Sequence, residues 1–280
     1  IFGRWGFVAA GVVLALVIVG LHRQGSMSSA TMRLSVTSVV TAEIVIIVLT
    51  ALNMAATAVS REREDGTLDL ILTTPIQPGP YIRGKHRGLI QFLIPMMLVP
   101  TLTMLIVAVY VLAGGFGVKG GTQLQSLRLA GTQGTVTLPV VLPEGAIAVP
   151  LVLAPFIAFC VMVGLQRSIS SRGTIGSVMA AVGIIVAVSG VISFCGIAAP
   201  KLSVLSAVLN SLSPVNTVLM LVYPEQRIPD ALNTGTESAR VAIVVGALIA
   251  AITYAAISYF MHTNMKRTFM MTVRRLAGSS

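Results

Sequence analysis

TIGSVMAAVGIIVAVSGVISFCGIAA, residues Thr174 to Ala199, contains no charged side chain. About 20 apolar residues in a helix cross the roughly 30 Å hydrocarbon core of a bilayer. A run this long and this uncharged is read as a membrane span. Working outward, the same test picks out five more runs: Trp5 to Leu21, Leu34 to Ser60, Gly88 to Ala113, Ala146 to Gln166 and Val241 to Met261. Lipid offers no hydrogen-bond partner to free backbone groups, so all six are predicted to be helices. Pro95 and Pro100 in the third, and Pro150 and Pro155 in the fourth, are predicted to kink them. The expected fold class is an all-α integral membrane protein, a single transmembrane domain over residues 1–280 with no soluble catalytic part.

Composition points the same way. The chain is 55% hydrophobic and only 10% charged, with a mean hydropathy of +0.91. Soluble domains carry about 25% charged residues. The net charge of +10 invites a nucleic-acid reading, but the cations sit between apolar runs and no aromatic-rich basic face accompanies them. The expected partner is the lipid bilayer, and no nucleic acid. Cys160 and Cys195 each lie in an apolar run and are expected to be buried, inert thiols. They are placed at depths differing by roughly 20 Å, too far for a disulfide.

Charge sets the orientation. With six spans and a cytoplasmic N-terminus, twelve of the nineteen Lys and Arg residues lie inside and seven outside. This excess favours both termini on the cytoplasmic side. A seventh span would reverse the basic tail from Met265 to Arg275. The candidate for it, Leu202 to Tyr223, has a polar middle (Ser203, Ser206, Asn210, Ser211, Ser213, Asn216) broken by Pro214. That pattern suits an outer re-entrant hairpin or an interfacial helix pair better than a lipid-facing helix. The outer segment from Gly114 to Gly145 is rich in Gly, Thr and Gln, and Thr135 to Leu142 alternates as a short strand or hairpin arm does.

The most informative stretch is the loop after the second span. Four of the nine acidic residues, Glu62, Glu64, Asp65 and Asp69, fall in it. Arg61 to Asp65 reads as a charged helix end leaving the membrane, and Gly66 breaks it. Thr67 can N-cap a new short helix with Asp69 in its first turn. Leu68, Ile71 and Leu72 then form an apolar stripe that ends at Thr74 and Pro75. Pro78, Gly79 and Pro80 are read as a turn, and Arg83, Lys85 and Arg87 as anchors of the next span. A short amphipathic helix at the cytoplasmic surface either docks into a groove on a partner or lies on lipid headgroups.

The run Glu62-x-Glu64-x-Gly66-Thr67-Leu68-Asp69-x-Ile71-Leu72-Thr73-Thr74-Pro75, followed by Gly84-Lys85 before a new span, resembles the signature of ABC-2 type transporter permeases. The six-span layout and the outer hairpin before the last span are also similar to that family. The resemblance implies a cytoplasmic coupling helix contacting a separate ABC ATPase subunit that holds ATP and Mg, so that no cofactor is bound by this chain and it is not itself an enzyme. It implies a second permease copy or paralogue, a pathway between the two, and transport as an exporter. The plasma (inner) membrane of a bacterium or archaeon is the location it implies. Glu62, Glu64, Gly66, Thr67, Leu68, Ile71, Leu72, Thr74 and Pro75 form the implied ATPase-coupling loop. Glu62 and Glu64 would anchor it, on basic groups of the partner or on Arg61 and Arg63. The family's amphipathic helix before the first span is expected to be missing or trimmed here, since only four residues precede Trp5 and the chain opens at Ile1 rather than Met.

Other signals carry less. Gly79 to His86 nearly matches a phosphate-binding loop, but His86 replaces the required hydroxyl residue, no strand precedes it, and Pro80 removes a backbone N–H. Glu43 lies inside the second span, where an ionisable group is a functional candidate by default. It supports the alternative of a secondary transporter or channel that uses Glu43 as an intramembrane coupling site. Against this, Glu43 as a helix-packing carboxyl, and the chain as a membrane anchor or scaffold, stand as the plainer readings. Asn53 in the same span is read as interhelical glue. No Ser/His/Asp set, zinc-binding helix motif or paired intramembrane carboxylate points to a hydrolase.

Overall fold

A computed structural model describes residues 2–66, 78–116, 122–123, 138–139, 141–171, 173–198, 208–227 and 236–277. The chain is built of helices: α1 (Phe2–Arg23), α2 (Ser29–Thr57), α3 (Ser60–Glu64), α4 (Pro78–Leu112), α5 (Gly145–Ser170), α6 (Thr174–Ala198), α7 (Pro214–Val222), α8 (Pro224–Arg227) and α9 (Thr236–Ala277). Among the described residues, six stretches are long and apolar enough to cross a membrane: Gly3–Arg23, Ser29–Glu62, Gly79–Leu112, Gly145–Ser170, Thr174–Gly196 and Arg240–Arg267. They match the six predicted runs. Their lipid character shows in what they leave uncovered: Ile175, Met179, Val186 and Phe194 of α6 are all more than half exposed.

Tertiary contacts group into two units. The first comprises Ile1–Val45, Pro95–Ala154 and Gly190–Ala251, the second Ile46–Ile94, Pro155–Ser189 and Ile252–Ser280.

In the first unit the predicted polar break near Pro214 is realised. Residues 208–211 are helical, the chain turns at Leu212 and Ser213, and α7 restarts with Pro214 in its first turn. Proline suits that position, where its missing N–H is not needed. Ser213 is the N-cap, its hydroxyl accepting from the Asn216 N–H at 3.5 Å. At nine residues, α7 is too short to span. Asn210, Ser211, Ser213, Asn216 and Thr217 are buried in protein rather than facing lipid, and they bond one another. Asn216 donates to Asn210 Oδ1, and Asn210 donates to the Gly196 carbonyl, both at 3.3 Å. The last carbonyls of α7 also find donors: the Leu142 N–H on Leu221 at 2.9 Å, and the Arg33 guanidinium on Val222. A helix end inside a protein needs such partners. The earlier arm of the predicted hairpin, up to residue 207, lies outside the described residues. The expected strand between Thr135 and Leu142 is seen at Leu138–Pro139, which pairs antiparallel with Thr122–Gln123.

The second unit packs on small residues. A Cβ on Gly164 of α5 would lie 2.6 Å from the Ala55 Cβ of α2, so these helices approach as only small residues permit. Phe156 of α5 meets Tyr254 of α9 edge-on, with centroids 5.2 Å apart.

Four sequence readings are corrected. Pro78, Gly79 and Pro80 do not form a turn; they begin α4, well before the predicted start at Gly88. Prolines are compatible with a first helical turn, and the charged heads of Arg83, Lys85 and Arg87 ride on that helix. Arg33, counted as an outer loop cation, lies within α2 and is buried. Asn53 is exposed, and its side chain bonds no other helix among the described residues. Cys160 is buried as expected but Cys195 is exposed; both are free.

Candidate functional site

The loop after the second span is held by side chains of three neighbouring helices, all in the second unit. The α2 helix ends at Thr57, Ala58 and Val59 form a turn, and α3 follows. The break leaves backbone groups to satisfy. One hydroxyl, Ser168 Oγ of α5, accepts from both the Val59 and Ser60 N–H groups at 2.9 Å each. The Ala56 carbonyl accepts from Ser60 Oγ at 3.0 Å and from Ser177 Oγ of α6 at 2.9 Å.

The two glutamates of α3 point to different helices. Glu62 accepts from the Tyr81 hydroxyl and pairs with the Lys85 ammonium, both on α4. Lys85 also donates to the Ala58 carbonyl at 3.3 Å and lies 5.8 Å from the Tyr81 ring centroid. Glu64 Oε1 accepts from the Thr174 N–H at 2.9 Å, at the start of α6. A carboxylate there meets the positive end of the helix dipole. Hydrogen bonding from Thr174 holds the Glu64 carboxyl below the usual carboxylate range, and the Arg61 charge adds to the effect. Gly66 follows with φ +70, a left-handed conformation that glycine adopts without a steric penalty.

The predicted anchoring role of Glu62 and Glu64 therefore has concrete attachments within the chain. They are Lys85 and Tyr81 for Glu62, and Thr174 for Glu64, with the Arg61 charge acting on Glu64 as well. Of the other predicted loop residues, Gly66 is in place. Thr67, Leu68, Ile71, Leu72, Thr74 and Pro75 lie outside the described residues. Sequence reasoning missed Ser168, Ser177 and Thr174, which carry no motif and become visible only when helices distant in sequence come together. Lys85 and Tyr81 had a weak signal in their spacing: four residues apart, they share one face of a helix.

Glu43 occupies a separate position in the first unit. It is 4% exposed. Thr103 Oγ1 of α4 donates to its Oε1 at 3.1 Å. Oε2 has no hydrogen-bond partner among the described residues. Gly11 of α1 closes the site: an added Cβ would lie 2.2 Å from Val99 Cγ1 and 3.1 Å from Glu43 Oε1. The helix-packing reading of Glu43 accounts for one oxygen and leaves the other unexplained.

No curated protein matches the chain. Residues 5–181 match the profile of the ABC-2 family transporter proteins, a stretch that takes in the first four spans, the start of the fifth and the whole loop with its attachments. With six helices among the described residues long and apolar enough to cross a membrane, this makes the chain a multi-pass membrane permease of an ABC transporter, and it belongs to the ABC-2 family.

Proposed function

We propose that the chain exports its substrate as one of two permease copies or paralogues, driven through the loop from Glu62 to Pro75 by a separate ATPase subunit. The observation that carries this is the double attachment of α3, with Glu62 on Lys85 and Tyr81 of α4 and Glu64 on Thr174 of α6. A partner pushing on the loop would pull on two membrane helices at once. ATP and Mg would sit on the partner. The charge bias supports a cytoplasmic position for this loop and both termini, in a bacterial or archaeal cell with the chain in its plasma membrane, and Leu68, Ile71 and Leu72 would supply the apolar contact to the partner. The buried segment around Ser213 is the outer re-entrant hairpin in this reading.

The test is a pull-down from detergent with the native genomic neighbours expressed, comparing wild type with Glu64→Arg plus Leu68→Asp. An ATPase that co-purifies with wild type and is lost from the double variant supports the coupling loop. If wild type brings down no ATPase, the reading fails. Export is tested by ATP-dependent accumulation in inside-out vesicles; accumulation only in right-side-out vesicles sinks the direction.

A second reading rests on the unpartnered Oε2 of Glu43: a secondary transporter or channel in which this carboxyl is the coupling site. It requires that Glu43→Gln abolish transport while leaving folding and any ATPase contact intact. Transport unchanged in that variant removes it.

A further inference from the structure

Beside the Glu62–Lys85 pair, the second unit holds an open groove of about 750 Å³ between the end of α2 and the first turns of α4. Met54 and Leu89 give it apolar surface, Gly84 and Gly88 give it room, and Arg61 gives it charge. The two glycines sit one helical turn apart, and a Cβ at either would meet nothing within 4 Å. The slot they leave runs along α4 instead of being filled by a neighbouring helix. The two cations on its wall differ. Lys85 is neutralised by Glu62, whereas exposed Arg61 takes part in no salt bridge among the described residues. The nearby Glu64 carboxylate is hydrogen-bonded to Thr174 and feels the Arg61 charge without forming a salt bridge with it.

An apolar slot with a cation at one end fits a ligand that is apolar along its length and anionic at its head. The groove lies beside a basic cluster, Arg61 and Arg63 of α3 with Arg83, Lys85 and Arg87 of α4. Such clusters mark the side of a membrane whose leaflet is rich in acidic lipid. A helix of another protein seated here would bury the Arg61 charge, which is unfavourable unless the partner supplies an anion. A lipid brings its own phosphate and keeps it wet. We propose that this groove holds one acidic phospholipid, an acyl chain lying along Gly84 and Gly88 and the phosphate resting on Arg61. The bound lipid would wedge between the end of α2 and α4, next to the ion pair that ties the loop to α4. This inference does not depend on the identity of any ATPase.

The experiment uses the full chain in nanodiscs of equal phosphatidylglycerol and phosphatidylcholine, with retained lipid read by native mass spectrometry after release into mild detergent. Three variants are compared with wild type: Arg61→Gln, Gly88→Leu, and Arg23→Gln as a control outside the groove. Gly88→Leu keeps the fold intact, because its Cβ enters open space and leucine favours a helix over glycine. Wild type is expected to retain phosphatidylglycerol over phosphatidylcholine. Arg61→Gln should weaken phosphatidylglycerol retention about fivefold, the effect of one basic residue at an acidic surface. Gly88→Leu should displace both lipids, and Arg23→Gln should change nothing. Equal retention of the two lipids by wild type overturns the proposal. So does a loss in Arg61→Gln with none in Gly88→Leu, which puts the phosphate on the surface and not in the groove. A Leu89→Cys variant that cross-links to a second copy or another protein in native membranes, with no lipid retained, overturns it in favour of a protein occupant.

Discussion

The Arg33 Nε donates to the Val222 carbonyl at 2.7 Å, and the guanidinium carbon lies 4.4 Å from the Tyr223 ring centroid. A buried cation from α2 thus closes the C-terminal end of α7, where helix carbonyls leave partial negative charge. Arg33→Met keeps much of the side-chain length but removes the donors. It should destabilise the protein by about 2 kcal/mol, the range for a hydrogen bond to a charged group. Thermal unfolding in detergent measures this; an unchanged midpoint would show that Val222 finds another donor.

The Glu62–Lys85 pair is about three-quarters shielded, with side chains 25% and 29% exposed respectively. A double-mutant cycle with Glu62→Gln and Lys85→Met should return a coupling energy of about 1 kcal/mol, near the upper end for pairs that still meet solvent. The exchange Glu62→Lys with Lys85→Glu should recover part of the lost stability but not the bond from Tyr81, which needs its acceptor where Glu62 now places it. Additive single effects would mean that the pair contributes no net energy.

Glu64 gives a pH signature. Its folded pKa is depressed, chiefly by Thr174, so its stabilising contribution is present above the unfolded carboxylate value of about 4.3. That contribution is lost as pH falls through the lower folded value. Wild type and Glu64→Gln should therefore differ by a constant amount near neutral pH and converge in stability under acid. Parallel curves down to strong acid would place the Thr174 bond outside the folding equilibrium.

Gly164 tests the close approach of α5 and α2. Gly164→Ala puts a Cβ 2.6 Å from the Ala55 Cβ and 3.1 Å from the Ala56 backbone nitrogen. Backbone cannot move aside as a flexible side chain does, so overpacking should cost roughly 1–3 kcal/mol. Gly84→Ala, whose Cβ meets open space, should leave the unfolding temperature unchanged or raise it. Equal behaviour of the two variants would mean that α5 and α2 separate readily.

The spans were legible because a helix that carries no charge over a bilayer's thickness is at home in lipid and poorly suited to water, as in Thr174 to Ala199. Their ends were less so. Gly79 to Arg87 reads as a loop by its charges and prolines, yet it is helix, since long cationic side chains can leave a helix and reach water. Arg33 reads as a loop anchor for the same reason; only the carbonyl of Val222, far along the chain, explains its burial. At the site, Glu62 and Glu64 stood out as acids in a chain with few. Their attachments did not, because Ser168, Ser177 and Thr174 are ordinary residues whose roles come from helix packing.

The single hydroxyl of Ser168, taking two N–H groups at the break between α2 and α3, bears on how force travels. An unbroken helix carries twist and thrust along its axis through its ladder of hydrogen bonds. A helix interrupted at Ala58 and Val59 lacks those rungs, so a load on α3 does not run straight up α2. The ties across the break run sideways instead, from Ser168 of α5, from Thr174 of α6 and from Lys85 of α4. Such a break has the geometry of a swivel joint, with one short arm held by three helices.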